Sequence, residues 1–225
     1  MIEEYISENK ITVAIFDMDG TLTDSNQAWS QGIISVLNRH SIDYTRDDWK
    51  DMMTIPTIQA AQHLRDAGRL PITAEDFTAE VTDEVRRLYR EEVELKPGSA
   101  ELVKRLSQMD LRLYVASSTD RREIELVLSK FGLLDYFDEV YPVAEFGTSK
   151  RERRVFDMIL EKAGSDGKNY QAQNAVLFED ALYSMETGKK MGMHIVAIRD
   201  EFEKDQEDKI EEIADLYVNN PVDLL

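Results

Sequence analysis

The apolar run Ile11-Thr12-Val13-Ala14-Ile15-Phe16 leads straight into Asp17-Met18-Asp19-Gly20-Thr21. Its β-branched and aromatic residues read as a buried strand, and Gly20 marks where that strand must stop. Acids two positions apart at a strand end point to one side of a sheet. Holding two carboxylates together costs Coulomb energy, so a core with no use for them would rarely keep the pair. A divalent cation removes that cost and leaves one carboxylate positioned as a nucleophile. The alternative is a polar strand-to-loop turn, since Asp and Gly are ordinary turn residues.

Beyond this stretch the apolar spacing changes twice. From about residue 23 to 94 it is helical almost throughout. Trp29, Ile33, Ile34, Val36 and Leu37 mark a helix over 26–40, with more helical pattern over 49–53 and 57–67. Thr73 then reads as an N-cap, with Glu75 and Asp76 in the first turn of a longer helix through Phe77, Val81, Val85, Leu88 and Tyr89. Leu95-Lys96-Pro97-Gly98 reads as a hinge. After it, strands over 111–116, 139–143, 175–178, 194–198 and 216–218 alternate with helices over 99–109 and near 121–131, 150–163, 181–191 and 204–213. That alternation predicts an α/β fold, a Rossmann-like parallel sheet core with helices on both faces and an inserted all-helical domain. The expected division is 1–22 with 95–225 for the core and 23–94 for the insert.

Composition narrows the chemistry. The 225 residues include no Cys, which excludes disulfides, thiolate metal sites and a cysteine nucleophile. Three scattered histidines make a histidine-rich metal site an unpromising reading. The acidic start, Met1-Ile2-Glu3-Glu4-Tyr5, lacks the build of a signal peptide, and no apolar run approaches membrane-spanning length, so a cytoplasmic location is expected. The net charge of −18 opposes nucleic acid and anionic membranes as partners. It would also repel a phosphate, so a phosphate site here needs a metal and a local cation.

An open α/β sheet binds its ligand beyond the carboxyl ends of the strands; two further strand ends carry suitable chemistry, and a lysine at a helix start adds a third fragment. Ser117-Ser118-Thr119-Asp120 ends the second strand; its hydroxyls and backbone N–H groups could cradle phosphate oxygens or simply cap a helix. Lys150 is expected at a helix start, where the macrodipole disfavours a cation unless an anion lies nearby, and it could equally be a surface lysine. Glu179-Asp180 ends another strand and offers either hard oxygen ligands for Mg²⁺ or an ordinary helix start.

Taken in order, these four fragments resemble the motifs of the haloacid dehalogenase-like superfamily of phosphohydrolases and phosphomutases, with a helical cap inserted after the first motif. The resemblance implies Asp17 as the nucleophile that takes up the phosphoryl group and Asp19 as general acid/base, its backbone carbonyl also ligating Mg²⁺. It implies Ser117 as the phosphate-binding hydroxyl with Ser118 as a backbone donor. Lys150 becomes the lysine that steadies nucleophile and phosphoryl group, and Asp180 a metal ligand, with Glu179 ligating directly or through water. Two departures stand out. Relatives often read Lys-Pro-x-Pro-Asp where this chain has Lys150-Arg151-Glu152-Arg153-Arg154, which makes Arg151 a second candidate cation, and Ser184 stands where a glycine is common.

The implied activity is Mg²⁺-dependent phosphatase action on a small phosphorylated metabolite through an aspartyl-phosphate, by a monomer. A phosphosugar mutase is the alternative. It is disfavoured because Asn26-Gln27-Ala28-Trp29 offers no hinge histidine and the stretch over 52–57 no arginine. A non-catalytic regulator that binds a phosphorylated metabolite is the other alternative. Gln27, Trp29 and the residues over 54–57 are the expected substrate contacts from the insert, with burial in the insert's own core an equal possibility for Trp29.

Overall fold

The computed structural model describes residues 1–167 and 169–225, and the side chains of Thr54 and Asp166 lie outside that description. Six parallel strands form one sheet: β1 (Val13–Phe16), β2 (Arg112–Ser117), β3 (Glu139–Pro142), β4 (Ala175–Glu179), β5 (His194–Ile198) and β6 (Leu216–Val218). Their order is β3-β2-β1-β4-β5-β6. From β1 the chain builds outward through β2 and β3, then crosses back to lay β4 on the other side of β1. The carboxyl edge between β1 and β4 is therefore the switch point where open α/β sheets place ligands. Phe16 pairs in register with both Val115 and Phe178, which brings the ends of β1, β2 and β4 to one level.

Alternate residues of each strand feed opposite faces. On one face Ile15, Tyr114, Leu177 and Ile195 pack with Phe156 and Ile159 of α8 (Arg153–Ala163), Met185 of α9 (Leu182–Met191) and Ile210 of α10 (Glu207–Ile213). On the other, Phe16 stacks on Phe178 with ring centroids 4.3 Å apart and meets Phe137 edge-on at 5.8 Å. The remaining helices of this unit are α1 (Ile2–Glu8), α6 (Ser99–Ser107) and α7 (Arg121–Lys130).

The chain divides into two compact units, Met1–Asp24 with Glu94–Leu225, and Ser25–Val93. The second unit is all helical among its described residues: α2 (Asn26–Arg39), α3 (Arg46–Thr54), α4 (Thr57–Asp66) and α5 (Ala74–Glu91). Its core is Ile33, Val36, Leu37, Ala61, Leu64, Phe77 and Val81, all buried. The Thr73 hydroxyl accepts the Asp76 N–H at 3.0 Å and so starts α5 as its sequence predicts. Trp29 is 38% exposed, so it is not core, and Gln27 is exposed as well. The Thr54 side chain, another expected contact, lies outside the described residues.

Within the first unit, the segments that lead to and from the helical insert are laced together. Thr23 bridges Leu95, Asp24 donates its N–H to Glu94 (3.0 Å), and the Lys96 N–H reaches the Leu22 carbonyl (2.9 Å). Lys96 is buried, its Nζ 2.9 Å from Asp200 Oδ2 and 2.7 Å from the Arg199 carbonyl. Gly98 has φ +88°, and a Cβ there would fall 2.3 Å from the Val222 nitrogen, so only glycine fits.

Several boundaries differ from the sequence pattern. α1 was not anticipated; its apolar signal is the pair Ile2 and Ile6, both buried, in an otherwise polar stretch. β4 runs one residue further, making Glu179 a strand residue with no solvent exposure. α8 begins at Arg153, so Lys150 lies in the turn before it rather than at its first position. No helix among the described residues is long and apolar enough to cross a membrane.

Candidate active site

The loop after β1 is fixed by its own backbone. The Asp17 N–H donates to the Phe178 carbonyl at 2.9 Å, extending the ladder one residue beyond the strand. The Met18 carbonyl then accepts from the Leu22 and Thr23 N–H groups and the Thr23 hydroxyl, while Gly20, at φ +80°, donates to the Thr23 carbonyl. A loop so closed leaves Asp17 and Asp19 little freedom of direction.

Asp17 meets Lys150 and Glu179. Lys150 Nζ lies 2.9 Å from Asp17 Oδ1 and 3.0 and 3.1 Å from the two oxygens of Glu179. Glu179 also accepts from the Ser184 hydroxyl at 2.8 Å and the Ala181 N–H at 3.3 Å. Asp180 accepts from the Thr21 hydroxyl at 3.0 Å. Ser184 thus adds one further donor to Glu179, which a glycine there would not supply.

The electrostatics follow from burial. Burial alone would lower the Lys150 pKa, but the adjacent Asp17 and Glu179 charges win and hold it well above its ordinary value. Burial, with the like charge of Asp17, pushes the Glu179 carboxyl up to about 8 against the opposing pull of Lys150 and Ser184. Asp180 is raised by the same burial and by both neighbouring acids. The carboxylate oxygens of Asp17, Glu179 and Asp180 lie within 4.8 Å of one another. Three carboxylates against one ammonium leave negative charge uncompensated when all are ionised. Crowded hard oxygens with excess charge suit a divalent cation such as Mg²⁺, so the donor set fits a metal.

Asp19 has a different environment. Its Oδ2 accepts from the Thr119 hydroxyl at 2.7 Å and, at 3.4 Å, from the Ser117 hydroxyl. Asp17 thus meets Lys150 while Asp19 meets the Thr119 and Ser117 hydroxyls. Ser117, fully buried, also accepts the Thr119 N–H at 3.0 Å, and Ser118 is exposed. The structure thus gathers Asp17, Lys150, Glu179 and Asp180 into one cluster and links Asp19 to Ser117. Thr21, Thr119 and Ser184 are residues whose particular partners the sequence does not assign. Thr119 had a signal, since it is the third hydroxyl of the Ser-Ser-Thr run.

The family model of the haloacid dehalogenase-like hydrolases matches residues 14–198, which span every residue of this cluster. The chain is 26% identical over 179 residues to a phosphorylated carbohydrates phosphatase of Thermotoga maritima, covering 80% of this chain and 81% of that one. It is 27% identical over 217 residues to a phosphoglycolate phosphatase of Synechococcus elongatus, 94% of each chain. Among solved structures, a candidate beta-phosphoglucomutase of Thermotoga maritima superposes with a TM-score of 0.78 at 25% identity, over 96% of this chain and 97% of that one. With a parallel sheet of this order, acids at the ends of its central strands and a family match across most of its length, the chain belongs to the haloacid dehalogenase-like hydrolases.

Proposed function

We propose that this protein is a Mg²⁺-dependent phosphatase of small phosphorylated metabolites that works through an aspartyl-phosphate on Asp17. The observation that carries the reading is the buried contact of Lys150 with both Asp17 and Glu179, beside Asp180, at the switch point of the sheet. Mg²⁺ would be held by Asp17, Asp180, the Asp19 backbone carbonyl and, directly or through water, Glu179. When bound it would supply positive charge against the phosphoryl oxygens.

In the first half-reaction a carboxylate oxygen of Asp17 bonds to phosphorus as the ester P–O bond breaks. Asp19, protonated, gives its proton to the departing alkoxide. In the second, Asp19 takes a proton from a water whose oxygen attacks phosphorus, and the Asp17–phosphorus bond breaks to release inorganic phosphate. Lys150 orients Asp17 and balances charge on the transferring group, with Ser117 and the Ser118 N–H as further donors to it. Thr119 holds Asp19 toward its task. The helical unit Ser25–Val93 takes the part of the family's cap in this scheme. Two phosphatases among the relatives support hydrolysis over the mutase alternative.

The test is phosphate release from a broad panel of phosphate esters, with and without Mg²⁺, by wild type and Asp17→Asn. Metal-dependent release abolished in the variant is the expected result. Absence of release from every ester by folded protein with Mg²⁺ would overturn hydrolysis and direct attention to mutase assays with a sugar bisphosphate.

A further inference from the structure

We propose that Arg151, stacked on Tyr183, binds a second anionic group on the substrate and so selects phosphate esters that carry another negative charge. The proposal rests on the phosphatase reading above and narrows its substrate class.

Arg151 follows Lys150 directly, but the two side chains part company: Lys150 is buried, while Arg151 is exposed. The Arg151 guanidinium lies 4.1 Å from the centre of the Tyr183 ring. Cation–π stacking of this kind fixes a long side chain in place. A guanidinium held over a ring still carries N–H donors directed away from it.

Those donors have no hydrogen-bond or ion-pair partner among the described residues, in a chain whose formal charge is −18. Its neighbour shows the contrast: Arg153 grips Asp157 through two contacts of 2.7 and 2.9 Å. Glu203 feels the Arg151 charge but forms no ion pair with it. An arginine held in position with an open donor edge suits a carboxylate or phosphate, which it can take in bidentate fashion.

Tyr183 ties this cation to the reaction centre. It sits in the first turn of α9, one residue before Ser184, which donates to Glu179. Glu179, to which Ser184 donates, in turn holds the Lys150 ammonium that precedes Arg151 in the chain. An anion on Arg151 would thus belong to the same small molecule whose phosphoryl group faces Asp17.

Two matched substrate pairs with Mg²⁺ test the proposal: phosphoglycolate against hydroxyethyl phosphate, and a hexose bisphosphate against the hexose monophosphate. Wild type is expected to favour the more highly charged member of at least one pair. Arg151→Gln, checked for folding by thermal melting, should lower kcat/KM for that member at least about tenfold more than for its partner, chiefly through KM. Arg151→Lys should restore only part of the loss, because an ammonium lacks the bidentate edge. Whichever pair responds identifies the second anion as carboxylate or phosphate. An equal change for both members of both pairs would overturn the proposal while leaving the phosphatase reading standing. No turnover of any ester by wild type would overturn both.

Discussion

Lys150 and Asp17 meet at 2.9 Å with 2% and 7% of their side chains exposed, and Glu179 meets the same ammonium at 3.0 Å. Removing one partner of a buried ion pair leaves the remainder uncompensated, at a cost of about 3–5 kcal/mol. Lys150→Met is therefore expected to lower Tm and to cut kcat/KM by at least about 100-fold. Thermal melting and phosphate release measure the two effects. A variant with wild-type turnover would remove Lys150 from the mechanism.

The stability of metal-free protein should fall as pH rises. Glu179 and Asp180 both have folded pKa values above their unfolded ones, Glu179 at about 8. Folding favours their protonated forms, so this stabilisation is full below the unfolded value near 4.5 and is lost as pH climbs through about 8. In EDTA, Tm is expected to drop by about 5–10 °C between the acid and alkaline ends of that window. Mg²⁺ should raise Tm more at the alkaline end, where the carboxylates are ionised. A Tm in EDTA that does not change with pH would contradict the crowded-acid description.

Thr119→Val tests the link to Asp19. The substitution removes the 2.7 Å donor with little change in shape. A carboxylate that loses a donor holds its proton more tightly. The limb of the pH–rate profile belonging to Asp19 should move upward, with kcat reduced about tenfold. An unmoved profile would show that Thr119 does not act through Asp19.

At the hinge, Gly98→Ala is expected to destabilise the fold by about 2 kcal/mol or more, since it combines φ +88° with a Cβ only 2.3 Å from backbone of the 221–224 turn. Urea unfolding measures it. A Cm equal to wild type would mean that the turn moves aside freely.

The strand-to-acid junction at Phe16 and Asp17 was legible because burial on both faces and a polar break leave a plain one-dimensional pattern. The same holds for the strand into Glu179 and for Thr73, whose capping role is local. Lys150 is singled out through a resemblance, and the helix expected to start there begins three residues later. Its position is set by Asp17 and Glu179, distant in sequence, and not by the helix that follows. Thr21, Thr119 and Ser184 were not assigned because a hydroxyl's partner depends on tertiary placement; any of them could have served a local turn or cap. α1 escaped for a related reason, since two isoleucines four apart carry too little periodicity, and only tertiary packing buries them.

The central claim is a covalent intermediate on Asp17, and the most direct measurement is acid-quenched single turnover with labelled phosphate ester, followed by peptide mapping. Label that appears transiently on the peptide containing Asp17, and vanishes in Asp17→Asn, is the expected result. Full release of phosphate by wild type with no label ever attached to that peptide would contradict it.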